Sequence, residues 1–317
     1  MMLRARLVLI LLFALIVSQT APSVAQVSFS LSPASTWSLG NTSYVLRADP
    51  FKSKLVFPLD AVMMGGEFGC DIAFQQERLL KLECGIFISV TDPFLKMKDH
   101  DWVKLNGGEL KFSYTESDVG MRAVLLRIEG SMRVFTWRMI DIEALGGFRY
   151  HHIEQDIIGY EGWQLDENLS RVNVKGSEPA IEYWIKYYLP FVGVRCSYRP
   201  DQISLLDLKL ACMGVLASDY DDHLLRYKTA TADVVGGGAF VQARGRREFG
   251  DFSRPHLYAD LFIEIIALWA TGDQQQRWYG DDPITPDEDD TGTVISGIPH
   301  DISSIQVTIG FKLGWMF

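Results

Sequence analysis

Two short acidic stretches contain the residue types that activate water. Lys-Asp-His-Asp-Trp places Asp99 and Asp101 on either side of one histidine. Ser-Asp-Tyr-Asp-Asp-His places Asp221 two residues before His223. An imidazole can take a proton from water while a nearby carboxylate stabilises the imidazolium, and two close carboxylates can share a proton and hold the same water. The two stretches would therefore suit direct hydrolysis without a covalent intermediate, provided that the fold brings them together.

The elements that would position these residues show a strong alternation. From Ile305 to Phe317 every second residue is large and apolar, and polar or small residues alternate with them. The same pattern recurs in residues 80–88 and 257–269. Period two indicates β-strands with one apolar face. Charged residues on the other faces, which suit a tightly filled and hydrated lumen, include Asp71, Arg195, Asp207 and Lys209.

Strands of about ten or more residues with this pattern predict an all-β transmembrane barrel, antiparallel and up-and-down, with about ten strands. A barrel closes every backbone hydrogen bond, as the bilayer requires. The alternative is a soluble β-sandwich, in which the apolar faces would point inward and polar residues would dominate the outside.

The amino terminus is typical of a secretory signal peptide. Arg4 and Arg6 precede eleven apolar residues, 7–17, and small residues precede Gln26. We therefore expect residues 1–25 to be removed and residues 26–317 to form one barrel domain in the bacterial outer membrane. The net charge of −10 becomes more negative without the two arginines, which argues against nucleic-acid binding. No later segment has the apolar length of a transmembrane helix.

Turn-forming and polar segments alternate along the chain. Short turns are predicted at 75–78, 130–132, 200–204 and 250–255, and long polar loops at 49–54, 92–108, 158–179, 219–228 and 272–293. In outer-membrane barrels the short turns are periplasmic and the long loops extracellular. This order predicts that both acidic stretches lie at the same outer rim.

The cysteines fit neither a disulfide scaffold nor a common zinc motif. They are Cys70, Cys84, Cys196 and Cys212, and we expect buried or lipid-facing thiols. If Phe74 opposes Leu80 in the first hairpin, Cys70 opposes Cys84 on the lipid face. Whether either pair of cysteines is bridged stays open.

Three stretches resemble the omptin family of outer-membrane endoproteases, ten-stranded barrels with an active site at the extracellular rim. Residues 99–102 match the family's Asp-x-Asp-Trp, residues 218–223 match Ser-Asp-x-Asp-x-His, and residues 189–210 match the hairpin that leads to the second motif. The resemblance implies an aspartic-type endopeptidase in which Asp99 and Asp101 face an Asp221–His223 dyad.

The resemblance also implies two binding residues. Asp219 matches an acid that binds a basic side chain next to the scissile bond. Lys186 matches a basic residue that contacts lipopolysaccharide phosphate on the outer face, and it shares its strand parity with Val192 and Val194. The implied partners are cationic peptides or proteins and outer-membrane lipid. The chain is expected to act as a monomer without a cofactor, with lipopolysaccharide as a candidate activator.

The chain departs from the family at three places. Residues 103–107 read Val-Lys-Leu-Asn-Gly, so the family's Trp-Thr-Asp-x-Ser-x-His-Pro stretch is absent. Residues 146–152 read Gly-Gly-Phe-Arg-Tyr-His-His, where the family has Ala-Gly-Tyr-Gln-Glu followed by Ser/Thr-Arg. Residues 41–46 contain no glutamate to match the family's second specificity acid. We therefore expect a weaker preference for arginine or lysine, and the need for lipopolysaccharide stays open.

Two other functions are compatible with parts of the sequence. His100, His151, His152 and His223 with nearby carboxylates would suit a divalent metal. However, adjacent strand residues point to opposite faces, so His151 and His152 cannot both face the lumen, and we expect no metal site. The main alternative is a non-catalytic adhesin or structural barrel, whose acidic residues 281–290 are a solvated loop. A filled barrel of about ten strands leaves little room for a pore.

Overall fold

The computed structural model describes residues 26–73, 79–105, 107–250, 255–283 and 289–317, so the proposed signal peptide lies outside the described residues. These ranges form twelve antiparallel β-strands and a short 3-10 helix, Leu224–Arg226. The strands are β1 (Gln26–Ala48), β2 (Phe51–Pro58), β3 (Val62–Ala73), β4 (Leu79–Ser89), β5 (Met97–Leu105), β6 (Gly108–Trp137), β7 (Ile140–Leu165), β8 (Arg171–Tyr198), β9 (Ser204–His223), β10 (Lys228–Phe249), β11 (His256–Trp278) and β12 (Val294–Met316). No helix in the described ranges has the length and hydropathy needed to cross a membrane.

The sheet closes into a ring, because β12 pairs with β1 from Ser30 opposite Met316 to Leu46 opposite His300. β2 and β3 pair with successive parts of β1, and β5 and β4 pair with successive parts of β6. Since β2 pairs with β5 and β3 with β4, each interrupted strand fills one position in the ring. The twelve segments therefore make ten strands at each level, and the predicted antiparallel barrel of about ten strands is confirmed.

An apolar belt surrounds the barrel towards the end that carries the β6–β7 and β8–β9 connections. It consists of the outward residues that alternation predicted, and on β12 these are Ile305, Ile309, Phe311, Leu313 and Trp315, all exposed. The belt ends at Leu216 on β9 and at Trp269 on β11, after which outward positions become polar. Exposed apolar side chains all round a closed barrel are what a lipid-facing surface requires. Several strands continue well beyond this belt.

Side chains fill the lumen within the belt. Arg195, Asp207 and Lys209, which the sequence places on the polar faces, are all buried there. The buried ion pairs include Arg127–Glu67, Lys312–Glu67, Lys209–Glu129, Arg195–Asp207, Arg244–Asp207, Arg246–Asp260 and Arg149–Glu264. Several of these pairs join strands that are not neighbours in the ring, so they tie opposite walls together.

Several segments predicted to be loops are strands. Residues 92–108 contain β5, residues 158–179 are largely the ends of β7 and β8, and residues 49–54 reduce to a turn at Asp49 and Pro50. Longer strands also shorten the predicted loops at 219–228 and 272–293. Beyond the belt neither face of a strand contacts lipid, so no apolar alternation marks these strands in the sequence.

The predicted turns have mixed outcomes. The turn at 200–204 lies between β8 and β9. The prediction of a turn at 130–132 is wrong, because these residues lie inside β6 and the chain reverses at Arg138 and Met139. Ser131 faces inward there and donates to Glu143 at 2.5 Å, a strand contact that its turn-like composition did not reveal. Residues 74–78 and 251–254, which carry most of the other two predicted turns, lie outside the described residues.

The predicted pairing of Cys70 with Cys84 is also wrong. Cys70 lies opposite Leu82, and Phe68 lies opposite Cys84, so the hairpin register differs from the predicted one by two residues. All four cysteines are free. A shift of two keeps every side chain on its face, so alternation alone cannot distinguish the two registers.

Candidate active site

The two acidic stretches meet in a cleft beyond the apolar belt. β9 directs Asp219, Asp221 and His223 inward at alternate positions. On the opposite side β5 is held between β2 and β6, and it presents Asp99 and Asp101 to the same space. The carboxylates of Asp99 and Asp221 are close enough to repel each other, and Asp101 is close enough to attract His223. The structure therefore brings together all four residues that the sequence analysis singled out for water activation.

Asp221 and His223 form a direct contact. His223 Nε2 lies 3.2 Å from Asp221 Oδ2, and the Tyr44 hydroxyl donates a hydrogen bond to the same oxygen. Burial opposes ionisation of Asp221, which is only 2 % exposed, but the charge and hydrogen bond of His223, the Tyr44 hydrogen bond and the charge of Lys228 lower its pKa below the ordinary value. Asp221 is thus a carboxylate that can stabilise an imidazolium, and His223 Nδ1 is left as the acceptor for a proton.

The Asp99–Asp101 pair has the opposite electrostatic character. Burial, and then the charges of Asp101 and Asp221, raise the pKa of Asp99 well above its ordinary value. Burial also raises the pKa of Asp101, against hydrogen bonds from Ser53 and Ser113 and the charge of His223. Asp99 Oδ1 is buried without a hydrogen-bond partner. A pair that keeps a proton at higher pH than an isolated aspartate offers a donor and an acceptor to one water molecule.

Asp99→Asn is expected to stabilise the folded barrel at pH 8, by on the order of 1 kcal/mol. The folded state holds the Asp99 proton more tightly than the unfolded state does, because the pKa of Asp99 is raised. Wild-type stability should therefore fall as the pH rises above the ordinary aspartate pKa towards the folded one, and the uncharged amide should remove that fall. Urea unfolding of the refolded protein at pH 4 and pH 8 measures the difference.

The matched control for this prediction is Asp273→Asn, since Asp273 is exposed on the outward face of β11. The control should leave the unfolding midpoint unchanged at both pH values. A destabilised Asp99→Asn variant, or an equal gain in the control, would contradict the electrostatic explanation.

Asp219 already has a partner in the protein. It is 4 % exposed, and its Oδ2 lies 2.8 Å from His300 Nε2, while its Oδ1 is buried without a partner. Burial raises the pKa of Asp219, and the hydrogen bond and charge of His300 oppose that rise. A basic side chain that approached Asp219 would therefore have to share the negative charge of Asp219 with His300.

Aromatic residues that no sequence motif marked form the floor of the cleft. Phe57 stacks on Tyr183 with ring centroids 4.1 Å apart, and the Tyr44 ring lies 5.1 Å from the His300 ring. Tyr44 stands in the segment 41–46, where the sequence lacks the family's glutamate. Lys228, opposite His223 on β10, was also missed. Inward strand parity was the signal available for these residues, and it does not distinguish a site from a filled lumen.

His100, His151 and His152 lie outside the cleft. His100 is on the opposite side of β5 from its two acidic neighbours, where its ring stacks on Trp102 at 5.7 Å and its Nδ1 lies 2.7 Å from Lys111 Nζ. His151 lines the lumen, whereas His152 faces outward near Glu154. In the part of the chain that the structure describes, no three His, Cys, Asp or Glu side chains form a group that could hold a metal ion.

Lys186 lies on the outward face of β8, just beyond Tyr188 at the edge of the apolar belt. Its Nζ is 4.2 Å from the centroid of the Trp184 ring. Trp184 in turn stacks on Tyr220 with centroids 5.8 Å apart. A lysine among aromatic rings at this height resembles the interfacial girdle of membrane barrels.

Comparison with known proteins agrees with this architecture. The sequence model described as "Omptin family" matches residues 53–265, more than half of the chain and both acidic stretches. The crystal structure of the outer membrane protease OmpT from Escherichia coli matches with a TM-score of 0.69 and 14 % sequence identity, covering 92 % of this chain and 97 % of OmpT. At this identity the likeness shows the fold alone.

A second solved structure, the translocator domain of the autotransporter NalP from Neisseria meningitidis, has a TM-score of 0.33 and 10 % identity over 96 % of this chain and 95 % of that domain, which is too distant to carry an argument. No curated protein sequence matches the chain. The family match and the closed ten-stranded barrel agree with each other, and the match includes both acidic stretches of the cleft. This chain belongs to the omptin family, the outer-membrane protease family that its two acidic stretches resemble.

Proposed function

We propose that this protein is an outer-membrane endopeptidase that hydrolyses peptide bonds next to basic residues by direct attack of water. The observation that carries the proposal is the meeting, in one cleft, of the Asp221–His223 contact and the Asp99–Asp101 pair. The first supplies a general base and the second a place for the water. Membership of the omptin family supports the class of reaction.

In the proposed reaction one proton moves from the water to His223 and then from His223 to the leaving nitrogen. His223 Nδ1 takes a proton from the water held by Asp99 and Asp101, and the water oxygen attacks the carbonyl carbon of the scissile bond. Asp221 accepts the hydrogen bond from His223 Nε2 and stabilises the imidazolium. The imidazolium then gives its proton to the leaving nitrogen, the C–N bond breaks, and a carboxylic acid and an amine are released. No covalent bond forms between enzyme and substrate.

The preference for basic residues is proposed from Asp219. Its buried Oδ1 has no partner in the described structure and would accept a hydrogen bond from a lysine or arginine side chain. Because His300 contacts the other oxygen, we expect a weaker preference than an unpaired acid would give. The acidic chain as a whole, with a net charge of −10, favours encounters with cationic peptides.

We also propose that the cleft is extracellular and that lipopolysaccharide contacts Lys186. At the opposite end the described connections between β6 and β7 and between β8 and β9 have only two and five residues, which is typical of periplasmic turns. Lys186, at the edge of the apolar belt beside Trp184, lies at the height of lipid headgroup phosphates. Lipopolysaccharide would then act as an activator from the outer face of β8.

The test is to refold the protein with and without lipopolysaccharide and to supply fluorogenic peptides that carry paired basic residues. Wild type should cleave them, and the same peptides with glutamine in place of the basic residues should be cleaved more slowly. Lys186→Ala should lose any activation by lipopolysaccharide, whereas Lys175→Ala, an exposed lysine in an ion pair with Glu161, should not.

A folded wild-type barrel that cleaves no peptide under either condition would overturn the proposal and favour the adhesin or structural barrel. Loss of activity on adding a chelator would instead indicate metal-dependent hydrolysis. Equal cleavage of basic and glutamine peptides would remove Asp219 from the proposal but keep the reaction.

A further inference from the structure

Lys228 is a buried lysine at the edge of the cleft. It opens β10 directly opposite His223 in the β9–β10 register, and it points inward with 6 % of its surface exposed. Lysine is almost never buried to this extent without a partner for its charge. Its surroundings therefore indicate what its ammonium group does.

Neutral groups provide the direct contacts of the ammonium. Lys228 Nζ lies 3.4 Å from Gln276 Oε1 and 5.5 Å from the centroid of the Trp278 ring, both on β11. The nearby cation Arg226, in the 3-10 helix, is engaged by Asp282 at 3.0 and 2.6 Å. The charged groups that act on Lys228 are Arg226 and Asp282, Asp221 on β9 and Asp101 on β5, and Lys228 in turn acts on Asp99. His223 on β9 lies opposite Lys228 in the register, and the Tyr44 hydroxyl on β1 contacts Asp221.

We propose that Lys228 is a positioning residue of the cleft, whose ammonium is the fixed positive charge that lets Asp99, Asp101 and Asp221 lie together around the reacting water. The inference rests on the proposed function. Three carboxylates in a partly buried cleft repel one another, and the energy of that repulsion grows as the effective dielectric constant falls. A cation held near all three offsets the repulsion without having to touch the substrate.

The electrostatics of the cleft agree with this role. Lys228 lowers the pKa of Asp99 and of Asp221, so it favours the charged form of acids on both sides of the cleft. Burial, and then the charge of Arg226, lower the pKa of Lys228 itself to about 8, against the attraction of Asp221, Asp282 and Asp101. Lys228 is therefore charged below about pH 8 and neutral above it. The positive charge in the cleft should be lost as the pH rises through that value.

The test compares Lys228→Arg with Lys228→Met by peptide cleavage between pH 5 and pH 10. Wild-type kcat should decline above about pH 8. Lys228→Arg should keep its activity to higher pH, because a guanidinium stays charged throughout this range. The kcat of Lys228→Met should fall at least about tenfold at pH 7, because an interaction energy equivalent to one pKa unit corresponds to a factor of ten in rate. Lys228→Met should also lack the decline above pH 8. KM should change little in either variant.

A structural role alone would not extend the pH profile in the arginine variant. Lys175→Met, which removes an exposed lysine outside the cleft, is the control and should retain the wild-type profile. If Lys228→Met keeps the kcat and the alkaline decline of wild type, or if Lys228→Arg declines at the same pH as wild type, the inference is wrong.

A second measurement separates this inference from the proposed function. An NMR titration of the lysine side-chain signals, with the Lys228 signal assigned by its absence in Lys228→Arg, reports the charge of Lys228 without a substrate. The midpoint should lie near 8 and should fall in Asp101→Asn, because Asp101 raises the pKa of Lys228. A midpoint typical of an exposed lysine that Asp101→Asn leaves unchanged would overturn the inference, even if wild type cleaves peptides. An inactive wild type with the shifted midpoint would overturn only the proposed function.

Discussion

His223→Ala is expected to lower kcat/KM for peptide hydrolysis by about 100- to 10,000-fold, the range in which a general base contributes to catalysis. No other group in the cleft can replace it. Asp221 faces His223 Nε2 and the Tyr44 hydroxyl rather than the water, and the raised pKa of Asp99 favours its protonated form, which cannot take a proton. The alanine variant should fold, because the His223 side chain is partly exposed at the rim. Cleavage kinetics at pH 7 on the refolded barrel measure the loss.

Asp221 and its neighbour Asp222 provide a matched comparison for the same reaction. Asp221→Asn keeps the shape of the side chain but turns an acceptor into a potential donor towards His223, so the imidazole loses its orientation and kcat should fall by a similar factor. Asp222 points outward, where its Oδ1 accepts a hydrogen bond from the Tyr279 hydroxyl at 3.0 Å. Asp222→Asn should therefore leave kcat unchanged. Equal losses in the two asparagine variants, or full activity in His223→Ala, would contradict the proposed dyad.

The fold could be predicted from the sequence wherever lipid contacts it. Residues 305–317 alternate because one side of β12 faces the apolar belt and the other faces the lumen, and this contrast is visible in a single chain. β5 lies beyond the belt and has no apolar face, so the same rule assigned residues 92–108 to a loop. The sequence thus predicted that Asp99 and Asp101 lie near the second acidic stretch, but it assigned them to a loop and not to a strand.

The floor of the cleft could not be predicted in the same way. Tyr44 meets His300 because β1 closes the ring against β12, which follows more than two hundred residues later in the chain. Lys228 faces His223 because a 3-10 helix makes the β9–β10 connection short. Both contacts depend on strand register, and alternation cannot distinguish registers that differ by two residues. The motifs therefore indicated the groups that could do chemistry but not the groups that surround them.

Glu264→Leu is expected to destabilise the barrel by about 3–5 kcal/mol, because it leaves the charge of Arg149 buried without its partner. Arg149 is 1 % exposed, and its Nη1 and Nη2 atoms donate to the two carboxylate oxygens of Glu264 at 2.8 and 2.7 Å. The pair joins β7 to β11 across the lumen, below the cleft. Gln242 donates to the same carboxylate at 2.9 Å and would lose that bond as well. Urea unfolding followed by tryptophan fluorescence measures the change.

The double variant Arg149→Met/Glu264→Leu separates the cost of an unpaired charge from the worth of the pair. Replacing both members of a buried ion pair by apolar residues of similar volume is often close to neutral, so most of the lost stability should return. Phe240, whose ring centroid lies 4.3 Å from the Arg149 guanidinium, offers a methionine an aromatic surface to pack against. Arg122→Met, which removes an exposed outward arginine 3.5 Å from Glu154, should cost no more than about 1 kcal/mol. If the double variant is as unstable as Glu264→Leu, the Arg149–Glu264 contact itself stabilises the barrel. Such a result would mean that this buried ion pair in the lumen contributes more to the free energy of unfolding than the apolar packing that could replace it.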